Sequence, residues 1–142
     1  MVPAMSEQNK AAARAVFDVW STGKLERLDA LVAPNVVHHD PHDPYASEGL
    51  AGMKRTIQFN RSAFPDMQLI VEDQIAEGDR VVTRWRGEMT HTGALGGTAP
   101  TGHRIMITGI TIDRFERGKI VEAWRSMDTL GLLQAIGALR RG

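Results

Sequence analysis

The stretch that most restricts the fold of this chain runs from Gly109 to Gly137, GITIDRFERGKIVEAWRSMDTLGLLQAIG. Residues 109–116 are rich in β-branched side chains and Phe. Arg117-Gly118 separates them from a second such run and supplies a turn. Lys119 to Met127 is then a return strand carrying Ile120, Val121 and Trp124. Asp128 stands directly before Thr129-Leu130-Gly131-Leu132-Leu133, where a helix needs an N-cap. A hairpin that feeds straight into a helix demands a sheet beside it and a layer of helices above it.

The rest of the chain supplies both. Ala12, Ala15, Val16, Val19 and Trp20 recur at helical spacing and predict an amphipathic helix over 7–21, ended by Gly23. Leu25, Leu28, Leu31 and Val32 predict a second short helix closed by Pro34, whose ring cannot continue it. Asn35–His39 reads as a short strand and Asp40–Tyr45 as a loop. Ser47 is placed to cap a third helix, with Glu48 in its first turn and Leu50, Met53, Ile57 and Phe64 as its apolar stripe. Gln68–Ala76 and Arg80–His91 read as strands joined at Glu77-Gly78-Asp79. The Gly- and Thr-rich residues 92–102 connect them to a strand over 103–116. Three helices and one strand, then four consecutive antiparallel strands, then a helix predict an α+β domain spanning 1–142. Its curved sheet, closed by helices, makes a cone whose mouth is a natural small-molecule site.

Composition removes several function classes. The formal net charge of the 142 residues is zero, so no basic face is offered to nucleic acid or an anionic membrane. There is no cysteine, which excludes disulfides, thiolate chemistry and cysteine-ligated metal. No apolar run is long enough to span a bilayer, and residues 1–10 lack the apolar core of a signal peptide. A cytoplasmic location is expected, and Met5 followed by Ser6-Glu7 offers an alternative start that makes residues 1–4 an extension.

Four local signatures carry a resemblance. They are Val37-His38-His39-Asp40-Pro41, Glu77-Gly78-Asp79-Arg80-Val81, Thr90-His91-Thr92-Gly93 with Pro100-Thr101-Gly102, and the run from Gly118 to Leu133. In this order, over about residues 8–137, they resemble the SnoaL-like polyketide cyclases of the NTF2-like superfamily, above all the branch called ester cyclase. The resemblance implies a curved antiparallel sheet with a helical lid, a deep apolar pocket and no cofactor. It also implies homodimers or homotetramers packed through the sheet.

The same resemblance implies acid/base work on a β-keto substrate, with an Asp on the last strand and a helper His on the strand before. Arg125 and Thr111 stand at those positions here. An arginine is no general base at neutral pH. The Asp/Arg/Asp arrangement of the limonene-epoxide-hydrolase relatives is also absent: Arg84 matches its Arg, but Arg86 stands where an Asp is expected, and Ser126 near the third member.

Other residues are candidates on their own chemistry. His38, His39, Asp40, His42 and Asp43 form the densest ionisable cluster, too compressed along the chain for a metal site. Alternation puts His38 and Asp40 on one face and His39 on the other. His39 and Asp40 are the candidates for a base, against a plain His–Asp pair that anchors the loop. Asp128 has two readings, a carboxylate at the pocket mouth and a helix cap, and its position favours the cap. His91 and His103 flank the Gly-rich connection and suit a loop or interface role. Asp113 and Arg114 are ionisable groups within a strand, set either in a polar patch or at solvent. Arg84 is a candidate anchor for a carbonyl or carboxylate, and Arg125 a second. Trp20, Tyr45, Met53 and Trp124 are the candidate pocket walls.

Three functions fit these residues. The first is a cofactor-independent cyclase or isomerase for a hydrophobic, polyketide-type small molecule, closing a ring by a non-aldol route in which orientation supplies the rate. The second is an epoxide hydrolase- or dehydratase-like enzyme using His39, Asp40 or Asp128. The third is a non-catalytic binding protein.

Overall fold

The computed structural model describes residues 5–138, so the expectation about residues 1–4 lies outside the described residues. The order of elements is α1 (Met5–Thr22), a 3-10 turn (Leu25–Ala30), β1 (Val32–His39), a 3-10 turn (Ala46–Glu48), α2 (Gly49–Ala63), β2 (Gln68–Glu77), β3 (Arg80–Thr90), β4 (Arg104–Glu116), β5 (Lys119–Met127) and α3 (Thr129–Ala135). The strands form one sheet in the order β1-β5-β4-β3-β2.

Strict alternation gives this sheet an inside and an outside. On β3, Val81, Thr83, Trp85, Gly87 and Met89 face inward and are buried, while Arg80 and Arg84 are exposed. On β4, Ile105, Ile107, Gly109, Asp113 and Phe115 are buried. α1 packs Val16, Phe17, Val19 and Trp20 onto the inner face, and α2 adds Leu50 and Ile57. The core therefore lies between the two helices and the concave side of the sheet.

Turn chemistry fixes the register. Arg117 and Gly118 both take positive φ, 52° and 79°, the conformation of a tight hairpin turn matched to strand twist. Gly23 ends α1 at φ 77°, with its N–H donated to the Val19 carbonyl at 2.7 Å.

Three local expectations are corrected. The second helix stops at Ala30, and Val32 already belongs to β1, so Pro34 lies inside a strand instead of closing a helix. β1 is an edge strand, where a proline removes no needed ladder bond. Ser47 does not cap α2: Glu48 occupies that position and no side chain bonds there. Finally, β1 pairs with β5 in parallel, so the sheet is not antiparallel throughout.

Candidate functional site

The site lies where β1, β5 and β4 run side by side beneath α1 and α2. The register puts His38 opposite Ala123 on one side and Asp113 opposite Ala123 on the other. All three face inward. Two residues along, Thr111 pairs with Arg125. A cavity opens over this patch, walled by Val16, Phe17, Trp20, Met53, Leu69 and Trp85. The small Ala123 side chain leaves its floor low.

Arg125 reaches across to the loop after β1. Its Nε and Nη2 both donate to Asp40 Oδ2 at 2.8 Å. Asp43 Oδ2 lies 3.8 Å from Nη2. Asp43 is itself held by Thr56 Oγ1, at 2.8 and 2.9 Å to its two oxygens, and by the Tyr45 N–H at 2.9 Å. The guanidinium also covers Trp20, 5.1 Å from the ring centroid. Among the described residues Arg125 Nη1 has no hydrogen-bond partner, so a rigidly held donor is left for a ligand.

Asp113 sits in the same cavity, 5% exposed, and its carboxyl makes no hydrogen bond among the described residues. Burial raises its pKa to about 7, because an ionised carboxylate loses its hydration there. His38 is shifted the other way, down to about 4, first by burial and then by the Arg125 charge. Its ring is neutral at neutral pH. Its nitrogens, too, have no partner among the described residues. Trp85 Nε1 donates to Thr111 Oγ1 at 3.0 Å, which fixes the indole in the wall. Buried polar groups are normally paired, so unpaired groups converging on one cavity describe a place for a polar ligand atom.

The residues singled out from the sequence divide. Trp20, Met53, Asp40 and Arg125 line the cavity. His39 lies at its edge, but its ring turns to the outer face, where Nε2 meets Glu122 Oε2 at 2.7 Å and the ring stacks on Trp124 at 5.1 Å. Trp124 is outside as well, under the Arg80 guanidinium. Arg84 is exposed on the outer face beside Glu72, at 3.6 Å. Tyr45 contributes its backbone N–H to Asp43 and its side chain does not line the cavity. Asp128 caps α3, its Oδ1 accepting the Gly131 N–H at 2.9 Å, and borders an open groove outside the cavity with Arg84 and Ser126. The residue pattern left Asp113 unassigned, although its alternation with Ile105, Ile107 and Phe115 marks it as inward-facing.

Among the described residues, no cluster of three or more His, Asp or Glu side chains is arranged to hold a metal ion. No described helix is long and apolar enough to cross a membrane.

The model of the SnoaL-like polyketide cyclase family matches residues 10–136. The chain belongs to that family. Among solved structures, it is 31% identical to a candidate polyketide cyclase from Acidithiobacillus ferrooxidans, covering 96% of this chain and 97% of that one, with a TM-score of 0.82. It is also 31% identical to IdmH, a candidate polyketide cyclase from Streptomyces antibioticus, over 92% and 99% of the two chains, at a TM-score of 0.80. AclR, a candidate hydroxylase from Streptomyces galilaeus, shares 30% identity over 96% of this chain and 85% of its own, at 0.84. No curated protein matches the chain. The SnoaL-like fold, a curved five-stranded sheet closed by helices, is thus shared with its relatives, whatever each of them does.

Proposed function

We propose that the chain, acting as one domain, is a cofactor-independent cyclase for a hydrophobic, polyketide-type ketone or ester, with Asp113 as the group that moves the proton. The observation that carries this reading is the Asp113 carboxyl itself, buried on the cavity wall without a partner and poised near neutrality. A carboxylate of that basicity suits removal of a C–H proton beside a carbonyl and its later return.

The steps balance on groups present in the cavity. Ionised Asp113 takes the α-proton, and the electron pair of that C–H bond becomes an enolate. Its oxygen accepts hydrogen bonds from Arg125 Nη1 and from neutral His38. The enolate carbon forms a C–C bond to a second carbonyl of the same molecule. The resulting alkoxide takes the proton back from Asp113. Asp40 and Asp43 hold Arg125 in place and do not enter the reaction. Asp113 thus takes the role that Arg125 cannot fill.

The test is deuterium exchange at the α-carbon of an enolisable bicyclic ketone, β-tetralone, followed by NMR. The protein is expected to accelerate exchange, and Asp113→Asn to abolish that while still binding the ketone. Turnover that survives Asp113→Asn would favour ring closure by orientation alone. Binding without exchange in the unsubstituted protein would favour a non-catalytic role.

Self-association through the outer sheet face and a cytoplasmic location belong to the same proposal. The outer face exposes Val37, Ile75, Met106 and Ile110, which supports a homodimer or homotetramer. Sedimentation of Met106→Lys and Ile110→Lys variants tests it: the expected result is a shift to monomer.

A further inference from the structure

We infer that Thr56, on α2, is a positioning residue for the carbonyl site: its hydroxyl holds Asp43 back from Arg125 and so keeps Arg125 Nη1 free for the ligand. The inference rests on the reading of Arg125 as the carbonyl anchor given above. Thr56 is buried and stands on the cavity wall. Its Oγ1 lies 2.8 and 2.9 Å from Asp43 Oδ1 and Oδ2, and 3.0 Å from the Gly52 carbonyl oxygen. A hydroxyl has one proton for these three acceptors. The Gly52 carbonyl lies one turn back in the same helix, where the Thr56 N–H serves it. Asp43 Oδ1 already accepts the Tyr45 N–H at 2.9 Å. The proton therefore belongs to Asp43 Oδ2, a carboxylate oxygen on a buried side chain that gains most from it. That is also the oxygen that faces Arg125.

The seat for this contact is built into the chain. Gly52 and Thr56 are one turn apart on α2 and share the face turned to the segment 40–45. A Cβ at Gly52 would overlap the Tyr45 carbonyl oxygen, so the bare backbone lets that segment lie close on the helix. The segment then sets its own carboxylates: the His42 N–H donates to Asp40 Oδ1 at 3.1 Å, as the Tyr45 N–H does to Asp43. The two carboxylates end up unequal toward Arg125. Asp40 Oδ2 takes Nε and Nη2 at 2.8 Å, whereas Asp43 Oδ2 stays 3.8 Å from Nη2, beyond hydrogen-bond reach. Thr56 accounts for the difference, because a carboxylate with a donor on each oxygen gains little by moving closer. Without the hydroxyl, Asp43 Oδ2 would be a buried acceptor short of a donor, and the guanidinium is the donor beside it. Arg125 would then divide itself between two carboxylates, and Nη1 would leave the place it holds for a ligand.

The experiment compares Thr56→Val, which removes the hydroxyl at nearly the same shape, with Thr56→Ser, which keeps it. Two readouts are taken on the full chain. One is the proton–nitrogen resonance of Arg125 Nε–H in labelled protein, identified by its loss in Arg125→Lys. The other is the concentration dependence of β-tetralone exchange. Thr56→Val is expected to move the Arg125 resonance and to raise KM about threefold or more, part of what one hydrogen bond to a charged group confers. The rate at saturating ketone should stay within about twofold and its pH profile should not move, since Asp113 is untouched. Thr56→Ser should match the unsubstituted protein in every readout. Thr56→Ala replaces Thr56→Val if that variant does not fold. An Arg125 resonance unmoved by loss of the hydroxyl overturns the inference. So does a Thr56→Ser variant as impaired as Thr56→Val, which would make Thr56 a packing residue. A resonance that moves while KM does not, or without any exchange of the ketone, overturns instead the reading of Arg125 as the carbonyl anchor, so the two failures are told apart.

Discussion

His38 and Asp113 face each other across Ala123, one on the strand to either side of it, and burial drives their proton affinities in opposite directions. The two effects on stability oppose each other over the same pH range. Asp113 titrates at 3.8 unfolded and about 7 folded, so rising pH removes stability across that window. His38 titrates at 6.5 unfolded and about 4 folded, so rising pH restores stability between those values. Each contributes at most about 1.4 kcal/mol per pH unit. Their sum is nearly flat where the windows overlap. Asp113→Asn should therefore show stability that climbs with pH between about 4 and 6.5, and His38→Gln stability that declines there. Urea unfolding at half-unit pH steps checks both slopes. Parallel profiles for the two variants would refute the pairing.

For catalysis, Asp113→Asn keeps the shape of the cavity and removes the base. The exchange rate on β-tetralone should fall by about two to four orders of magnitude, the usual contribution of a positioned proton carrier. In the unsubstituted protein the rate should rise with pH and level off above about 7, where Asp113 is ionised. Above that pH the Asn variant should also be the more stable of the two, because no charge is then buried.

The fold was largely legible because its signals are local. β5 has the bounds read from the sequence, and Asp128 caps α3 as its position indicated. The site was less legible because it depends on long-range register. A bulge between β4 and β5 lets Phe115 face Ile120 while Arg114 faces Glu122, which leaves Val121 over. Ile120 and Ala123 are then both inside, and Trp124 is outside. Counting by twos from Ile120 gives the reverse, so alternation alone would not have corrected the reading of Trp124 as a pocket wall. Asp113 could have been found from the alternation of β4 alone. That His38 stands beside Ala123 depends on the parallel β1–β5 pairing, across more than eighty residues of chain, and no local pattern encodes it.

Asp40 is a candidate base by residue type but a tether by geometry. It receives both short bonds from Arg125, and the two side chains are mostly buried, 9% and 21% exposed. Asp40→Asn should leave the guanidinium poorly neutralised and cost about 1–3 kcal/mol. Arg125 should then turn toward Asp43, moving Nη1 from its place. The expected kinetic signature is a KM for the ketone raised several-fold, with the pH profile set by Asp113 unchanged. A profile that shifts or disappears in Asp40→Asn would instead place Asp40 in the proton transfer.

Asp128→Ala separates a cap from a catalyst. The bond from Gly131 N–H to Asp128 Oδ1 is the side-chain cap at the N-terminus of α3. Its loss should cost about 1 kcal/mol and lower the melting temperature. The α-proton exchange rate at saturating ketone should stay within about twofold of the unsubstituted protein, a range consistent with a cap lost outside the reacting groups. A drop of the size expected for Asp113→Asn would return Asp128 to the chemistry.

Gly109→Ala tests whether the boundary of the cavity depends on one missing side chain. The added Cβ would meet three atoms of the Trp85 ring at 2.3 to 2.8 Å, contacts that cannot persist. Gly109 pairs with Trp85 across β3 and β4, so the backbone has little freedom to retreat and the indole must move. That breaks its bond to Thr111, 3.0 Å in the intact protein, and pushes the ring into the cavity. The cost in stability should be about 1–3 kcal/mol, typical of an overpacked core. The near-ultraviolet circular dichroism should change, since the indole loses its fixed setting. Ketone binding should weaken by about tenfold or more, as expected when a pocket wall is displaced. Trp85→Phe in the same background removes the clashing part of the indole, so it should restore part of the lost binding. If it restores nothing, the damage arises from the strand backbone and the Trp85 ring is not the boundary.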